Sequence, residues 1–354
     1  MFIVNKIVSL LNRNAEEKFW HGDDVDKTKH LDLPELTSEE FMLLKKTWPC
    51  FEFREKDVLL ARLYKMKNGF DPYYISVGFH SIIINKQLNP HNQICSLENK
   101  ALSDVYLPNI PFPQTYIRCI NNTLYDKEMN MISFEEAAQF LMEKKRFVIK
   151  PALNTVQGHG VKRIDLQHVD NVSKEWFKKL FSTATRNFII QEIAIQHPDI
   201  ARLNPTSLNC CRITSIYIGG KHTYGAMLKI GKNGTSVDNW NSSYAVGISK
   251  EGILNDIGWD NSFNSVTKTD NGIQFGGIEY PCFDSLVSSV KHYHMKYFPQ
   301  CAVIGWDVFV DANNKPIVIE ANLSIPGITA AQLCSGPFFK DVHDEIVKRI
   351  KRIH

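Results

Sequence analysis

AVIGWDVFVDANNKPIVIEANLSIPG, Ala302 to Gly327, is the stretch that decides the fold. Two apolar runs flank a turn-forming segment, Asp311-Ala312-Asn313-Asn314-Lys315-Pro316, and read as an antiparallel hairpin. If the hairpin is symmetric about that segment, Val310 faces Ile317 and Asp307 stands opposite Glu320. Directly opposed side chains in such a pair sit roughly 4.5–5.5 Å apart at Cβ, so the two carboxylates repel one another. Nothing in the flanking apolar residues offsets that cost, whereas a divalent cation would. Asn322, two residues after Glu320, shares its strand face and adds a neutral oxygen. Two carboxylates and an amide oxygen are the hard donors that magnesium prefers, with phosphate completing the shell. A single strand acid usually points to solvent; three donors in one apolar hairpin are harder to dismiss.

A magnesium site of that kind calls for phosphates and for cations to hold them. FVIKPALNTVQGHGVKRIDL, Phe147 to Leu166, supplies both a strand-end lysine, Lys150, and a loop through Gly158, His159 and Gly160. Glycines let such a loop turn its N–H groups toward phosphate oxygens. The sequence contains no GxxxxGK[ST] loop, and its single GxG lacks the third glycine of a dinucleotide fingerprint. Taken alone, Gly158-His159-Gly160 is an ordinary hairpin turn.

The whole chain is consistent with a soluble globular protein. Its 354 residues exceed one typical compact domain, 44% are hydrophobic and 22% charged. A net charge of +3 gives no electrostatic case for nucleic acid. The eight cysteines form no CxxC pair, which suits reduced thiols in the cytoplasm. No run reaches the roughly 18 apolar residues of a transmembrane helix. The N-terminal stretch reads as an amphipathic helix without a cleavage site. The C-terminal stretch from Val342 reads as a basic amphipathic helix, either docked or touching a membrane surface.

Periodicity predicts helices within 35–67, through Ala101–Tyr106, from Phe134 to about Lys145, over Lys174–Ser182 and over Phe283–Phe298. It predicts strands at Ser81–Ile84, Thr115–Ile120, Phe188–Ile195, Arg212–Ile218, Thr223–Ile230, 302–310 and 316–321. Residues 231–272, rich in Asn, Gly and Ser, read as a long loop, with Asp238-Asn239 a candidate metal or substrate contact within it. Strict βαβ alternation is lacking, so the class is α+β.

The order Lys150, glycine loop, Asp307, Glu320-Ala321-Asn322, Pro326-Gly327 resembles the ATP-grasp superfamily over about residues 96–335. Within it, HPDIARLNPTSLNCCRITSIY, VDNW and GWDVFVD look most like the sugar-transfer-associated ATP-grasp proteins. The resemblance implies two α+β lobes clasping a nucleotide, after a mixed N-terminal region. The expected division is 1–95, then a small lobe at 96–190 and a large lobe at 191–354.

The same resemblance implies ATP and Mg2+ as cofactors. Lys100 and Lys150 would hold the α/β-phosphates, and Gly158, His159 and Gly160 would cover them. Gln191, Glu192 and Ile193 would edge the adenine, with His197 or Asp199 at the ribose. Asp307, Glu320 and Asn322 would hold the metal. Many ATP-grasp ligases carry an arginine two residues before the strand aspartate, where this chain has Gly305. Arg212 is the substitute candidate, followed by Lys229. The implied reaction joins a small-molecule carboxylate to an amine through an acyl phosphate, with sugar-linked substrates and a place in surface-polysaccharide assembly. A kinase acting on a hydroxyl acceptor and a nucleotide-binding regulatory subunit are the alternatives. Contact with membrane or polysaccharide machinery would be peripheral.

Overall fold

The computed structural model describes residues 15–16, 18–153, 160–232, 234–235 and 240–350. The fold is α+β, built on two antiparallel sheets. The smaller runs β2-β1-β5-β3-β4, from β1 (Thr115–Ile120), β2 (Thr123–Tyr125), β3 (Arg146–Pro151), β4 (Lys162–Asp165) and β5 (Phe188–Gln191). The larger runs β10-β9-β8-β7-β6-β11-β12. Its strands are β6 (Cys211–Ile218), β7 (Lys221–Gly231), β8 (Ser243–Ile248), β9 (Leu254–Trp259), β10 (Ser265–Val266), β11 (Val303–Val310) and β12 (Pro316–Asn322).

Alternation decides which face of each strand is covered. On the small sheet, Ile117, Phe147, Ile149 and Ile190 pack with Ala138, Leu141, Phe177 and Leu180 from the Phe134–Lys144 and Lys174–Ser182 helices. Both helices begin where the sequence places a cap: Ser133 accepts from Glu136 N in a capping box, and Ser173 accepts from Trp176 N. On the large sheet, Ile213, Ile304, Trp306 and Val308 pack against Leu286 and Val290 of the Phe283–Tyr297 helix. The opposite face carries Ile216, Ile218 and Met227, and the N-terminal region packs there with the Ile328–Ser335 helix. Gln332 ties the two together: its Oε1 accepts from Ile75 N at 3.1 Å, and its Nε2 donates to Tyr64 Oη at 3.0 Å. The N-terminal region is therefore part of the large lobe's core.

Three sequence expectations need correction. Ser81–Ile84 is helical, within a π-helical stretch at His80–Asn85 that continues from a turn capped by Ser76. Burial of Ile82, Ile83 and Ile84 together explains why the run shows no amphipathic period. Residues 231–272 contain β8 and β9 in full, not a long loop. The hairpin register is Val310↔Pro316 and Phe309↔Ile317, one residue off the symmetric reading. A bulge at Ile319, between Val308↔Val318 and Asp307↔Glu320, restores the expected carboxylate pair.

No helix among the described residues is long and apolar enough to cross a membrane. The C-terminal His343–Arg349 helix docks, with Ile346 and Ile350 buried against the N-terminal cluster.

Candidate active site

β-Pairing alone brings four of the candidate side chains to one face. Arg212 on β6 pairs with Asp307 on β11, which pairs with Glu320 on β12, and Arg212 also pairs with Met227 on β7. Lys229, two residues beyond Met227, shares that face. The face opens into a cleft of about 1440 Å³ between the two sheets, lined on the small-lobe side by Lys150, Val148, Arg163, Gln191, Glu192 and Ile193.

The two carboxylates are each neutralised by protein cations. Arg212 grips Asp307 with both prongs, Nε to Oδ1 and Nη2 to Oδ2, each at 2.8 Å. Lys229 Nζ adds a contact to Asp307 Oδ1 at 3.1 Å. Burial alone would raise the Asp307 carboxyl, but Arg212 and then Lys229 outweigh it and hold it well below the usual carboxylate range. Burial alone would lower the Arg212 guanidinium, but Asp307 outweighs it and holds it above its ordinary value. Glu320 Oε2 meets Lys100 Nζ at 2.9 Å. The repulsion read from the hairpin is thus offset from β6, β7 and the segment before β1, elements remote in sequence.

The Lys150 ammonium makes no hydrogen bond or close ion pair among the described residues. Enclosure in the cleft pulls its ammonium down to about 8; Glu320 opposes that shift and Lys100 adds to it. A lysine so placed gains from an arriving phosphate, because the anion replaces the solvation it has lost.

The connector before β1 touches both lobes. Lys100 N donates to Ala152 O at 3.0 Å, at the end of β3. Glu98 accepts from Leu323 N at 2.9 Å, Ser324 N at 2.7 Å and Ser324 Oγ at 2.6 Å, fixing the loop beyond Asn322. Glu98 lines the cleft, and its position two residues before Lys100 was the only hint the sequence offered.

Gly305 lacks a side chain for a steric reason. A Cβ there would lie 2.4 Å from Pro326 O and 2.8 Å from Pro326 Cα. That same Pro326 O accepts from Arg212 Nη1 at 2.7 Å. The close approach of β11 to the Pro326 backbone excludes an arginine at 305, and Arg212 brings a guanidinium to the same face from the next strand.

At the other end, Gln191 Nε2 donates to Pro113 O at 3.1 Å, and Glu192 accepts from Gln114 N at 2.8 Å. Both side chains are spent on the chain before β1, and so is Glu192 N, which donates to Gln114 O at 2.9 Å; Glu192 and Ile193 line the cleft. Asp199 does not line the cleft; it is exposed beside His197 in the short Pro198–Ala201 helix. Gly160 has φ of +79° and closes against Pro151, where a Cβ would meet Cγ at 2.8 Å. Gly158, His159, Asp238 and Asn239 lie outside the described residues.

The oxygens fit a hard cation unequally. No group of three or more His, Cys, Asp or Glu side chains gathers among the described residues. Asn322 Nδ2 donates to Gly305 O at 3.0 Å, which leaves Oδ1 for a ligand. Glu320 and Asn322 Oδ1 therefore suit a metal that also takes phosphate oxygens. Asp307 would have to share an oxygen already held by Arg212 or Lys229.

A profile of sugar-transfer associated ATP-grasp proteins matches residues 81–348. The chain belongs to this family. No curated protein matches the sequence. Among solved structures, the D-cycloserine synthetase DcsG is 14% identical, with 73% of each chain covered and a TM-score of 0.41. The D-alanyl-alanine synthetase A from Vibrio cholerae O1 biovar eltor is 11% identical, covering 72% of this chain and 64% of that one, with a TM-score of 0.41. The L-amino acid ligase from Bacillus licheniformis is 12% identical; 72% of this chain matches 48% of that chain, at a TM-score of 0.39. The ATP-grasp profile begins at residue 81, so most of the N-terminal region packed on the large sheet lies outside it.

Proposed function

We propose that this chain is an ATP-dependent ligase that joins a carboxylate to an amine through an acyl phosphate, in sugar or amino-acid modification for surface polysaccharide. The observation that carries the reading is the single cleft in which Lys100 and Lys150 stand over Glu320 while Arg212 and Lys229 flank Asp307. That is an array of cations and oxygen donors suited to a triphosphate.

Lys100 and Lys150 would bind the α- and β-phosphates, and the backbone at 192–193 would meet the adenine edge. Glu320 and Asn322, with Asp307 sharing an oxygen, would hold Mg2+. Bound magnesium supplies charge neutralisation at the phosphate oxygens. Arg212, locked on Asp307, presents a fixed positive charge as the γ-phosphoryl moves, and costs no reorganisation at that moment. The substrate carboxylate oxygen attacks the γ-phosphorus and ADP leaves. An amine then attacks the acyl carbon, loses a proton, and phosphate departs with its bonding pair. Positioning and electrostatics account for the rate, and no protein nucleophile takes part.

The test is thermal melting with ATP, with and without magnesium, for the wild type and Glu320→Gln. A ligand that binds only the folded state raises the melting temperature. The expected result is a magnesium-dependent rise that the mutation removes, followed by phosphate release needing both a carboxylate and an amine. No rise at millimolar ATP would overturn the assignment, and phosphate retained on a hydroxyl acceptor would replace the ligase by a kinase.

A further inference from the structure

The helix over 18–28 precedes the residues matched by the family profile, yet it walls the same cleft. Phe19, Trp20, Asp23 and Lys27 all line it, at spacings that put them on one side of a helix. The helix is tied to the large lobe: Trp20 packs against the N-terminal core, Glu16 pairs with Lys86 at 2.5 Å, and His30 Nε2 meets Ser262 O at 2.9 Å. Phe263, Met227 and Thr329 line the same cleft.

Its chemistry is specific. The rings of Phe19 and Trp20 meet edge to face, with centroids 5.0 Å apart, and Phe19 is 64% exposed. Beside them Lys27 Nζ and Asp23 Oδ2 form an ion pair at 2.5 Å. The cleft, about 1440 Å³, exceeds the roughly 300–1,000 Å³ of a pocket for one small ligand, so a second ligand fits beside a nucleotide.

The Asp23–Lys27 pair cancels its own charge, so this wall offers a charged ligand no net counter-charge. A wholly apolar ligand would strip water from that pair without replacing its hydrogen bonds. A neutral polyhydroxylated ring meets both demands. Its hydroxyls donate to Asp23 and accept from Lys27, while its C–H face lies on the open ring of Phe19. We propose that the N-terminal helix forms a subsite for a neutral sugar ring, placed as the acceptor end of the cleft. That placement rests on the ligase reading; the sugar subsite itself does not.

The test uses the full chain with glucose and N-acetylglucosamine as probes, followed by saturation-transfer NMR and titration, with and without magnesium and a non-hydrolysable ATP analogue. Phe19→Ala removes the exposed ring and Lys27→Met breaks the ion pair. Expected are saturable sugar binding by the wild type and at least tenfold weaker binding by both variants, with the MgATP melting rise kept at its wild-type size. Binding by Phe19→Ala as tight as by wild type, no saturable binding by the wild type, or tighter binding of benzylamine than of either sugar would each overturn the proposal. Phe19-dependent sugar binding in a protein that MgATP fails to stabilise would support the subsite and sink the ligase reading alone.

Discussion

Replacing Asp307 by asparagine should weaken the fold far more than replacing Glu320 by glutamine, although each change removes one carboxylate from the same cleft. Asp307 is 5% exposed and is the counter-charge for two cations, Arg212 and Lys229, whose side chains are 12% and 13% exposed. Removing one partner of a buried pair costs about 3–5 kcal/mol, because the other charge is left buried. At about 2 °C per kcal/mol for a large chain, that is a fall of about 6–10 °C in melting temperature. Glu320 forms one ion pair among the described residues, with Lys100, and both are 20–25% exposed. A pair in that setting contributes up to about 1 kcal/mol, or about 2 °C. Scanning calorimetry of the ligand-free variants, without ATP or magnesium, reads the difference directly. Equal shifts of about 2 °C would refute the reasoning, since Arg212 and Lys229 would then find their solvation elsewhere. A larger fall for Glu320→Gln would invert it.

Two further outcomes follow from local geometry. Gly305→Ala should lose about 1–3 kcal/mol by urea unfolding, because the new methyl must push back the Pro326 backbone; wild-type stability would mean that the loop yields freely. Asp24 is buried with Oδ1 unpartnered, and burial, reinforced by Asp23 and Asp57 and opposed by Lys27, pushes its carboxyl up from 3.8 to about 7. A carboxyl raised on folding stabilises below its unfolded value and loses that contribution as pH rises toward the folded one. Asp24→Asn should therefore gain stability relative to wild type between pH 4 and pH 8, by up to about 4 kcal/mol at about 1.4 kcal/mol per pH unit. A gap between the two unfolding curves that stays constant with pH would rule this out.

The hairpin was legible because turn residues and apolar alternation are local signals, and Asp307 and Glu320 follow from them. The bulge was not, since Ile319 is as apolar as its neighbours. What neutralises the carboxylates was beyond reach for a different reason: Arg212 lies 95 residues from Asp307, and only the β6–β11 pairing joins them. β8 and β9 were read as loop because residues 231–272 are rich in Asn, Gly and Ser, Gly247 and Gly258 among them. Those glycines serve close packing. A Cβ at 247 would lie 2.4 Å from Cys334 O, and one at 258 would lie 2.9 Å from Ala245 O. The Ser81–Ile84 run failed for the reverse reason, as consecutive β-branched residues suggest a strand and only tertiary burial makes them helical. The cleft-lining helix at 18–28 shows nothing in sequence beyond an amphipathic pattern.

β12 is an edge strand, and it carries Glu320 and Asn322. Its free side is not left open: Val318 N donates to Pro111 O at 2.8 Å, and Glu98 takes the N–H groups of Leu323 and Ser324. The connector that positions Lys100 is thus also the guard on a sheet margin that could otherwise recruit another chain. Loosening residues 98–111 would cost more than phosphate affinity. It would bare a row of amides beside an apolar hairpin, and the protein would lose solubility through edge-to-edge association before it lost its fold.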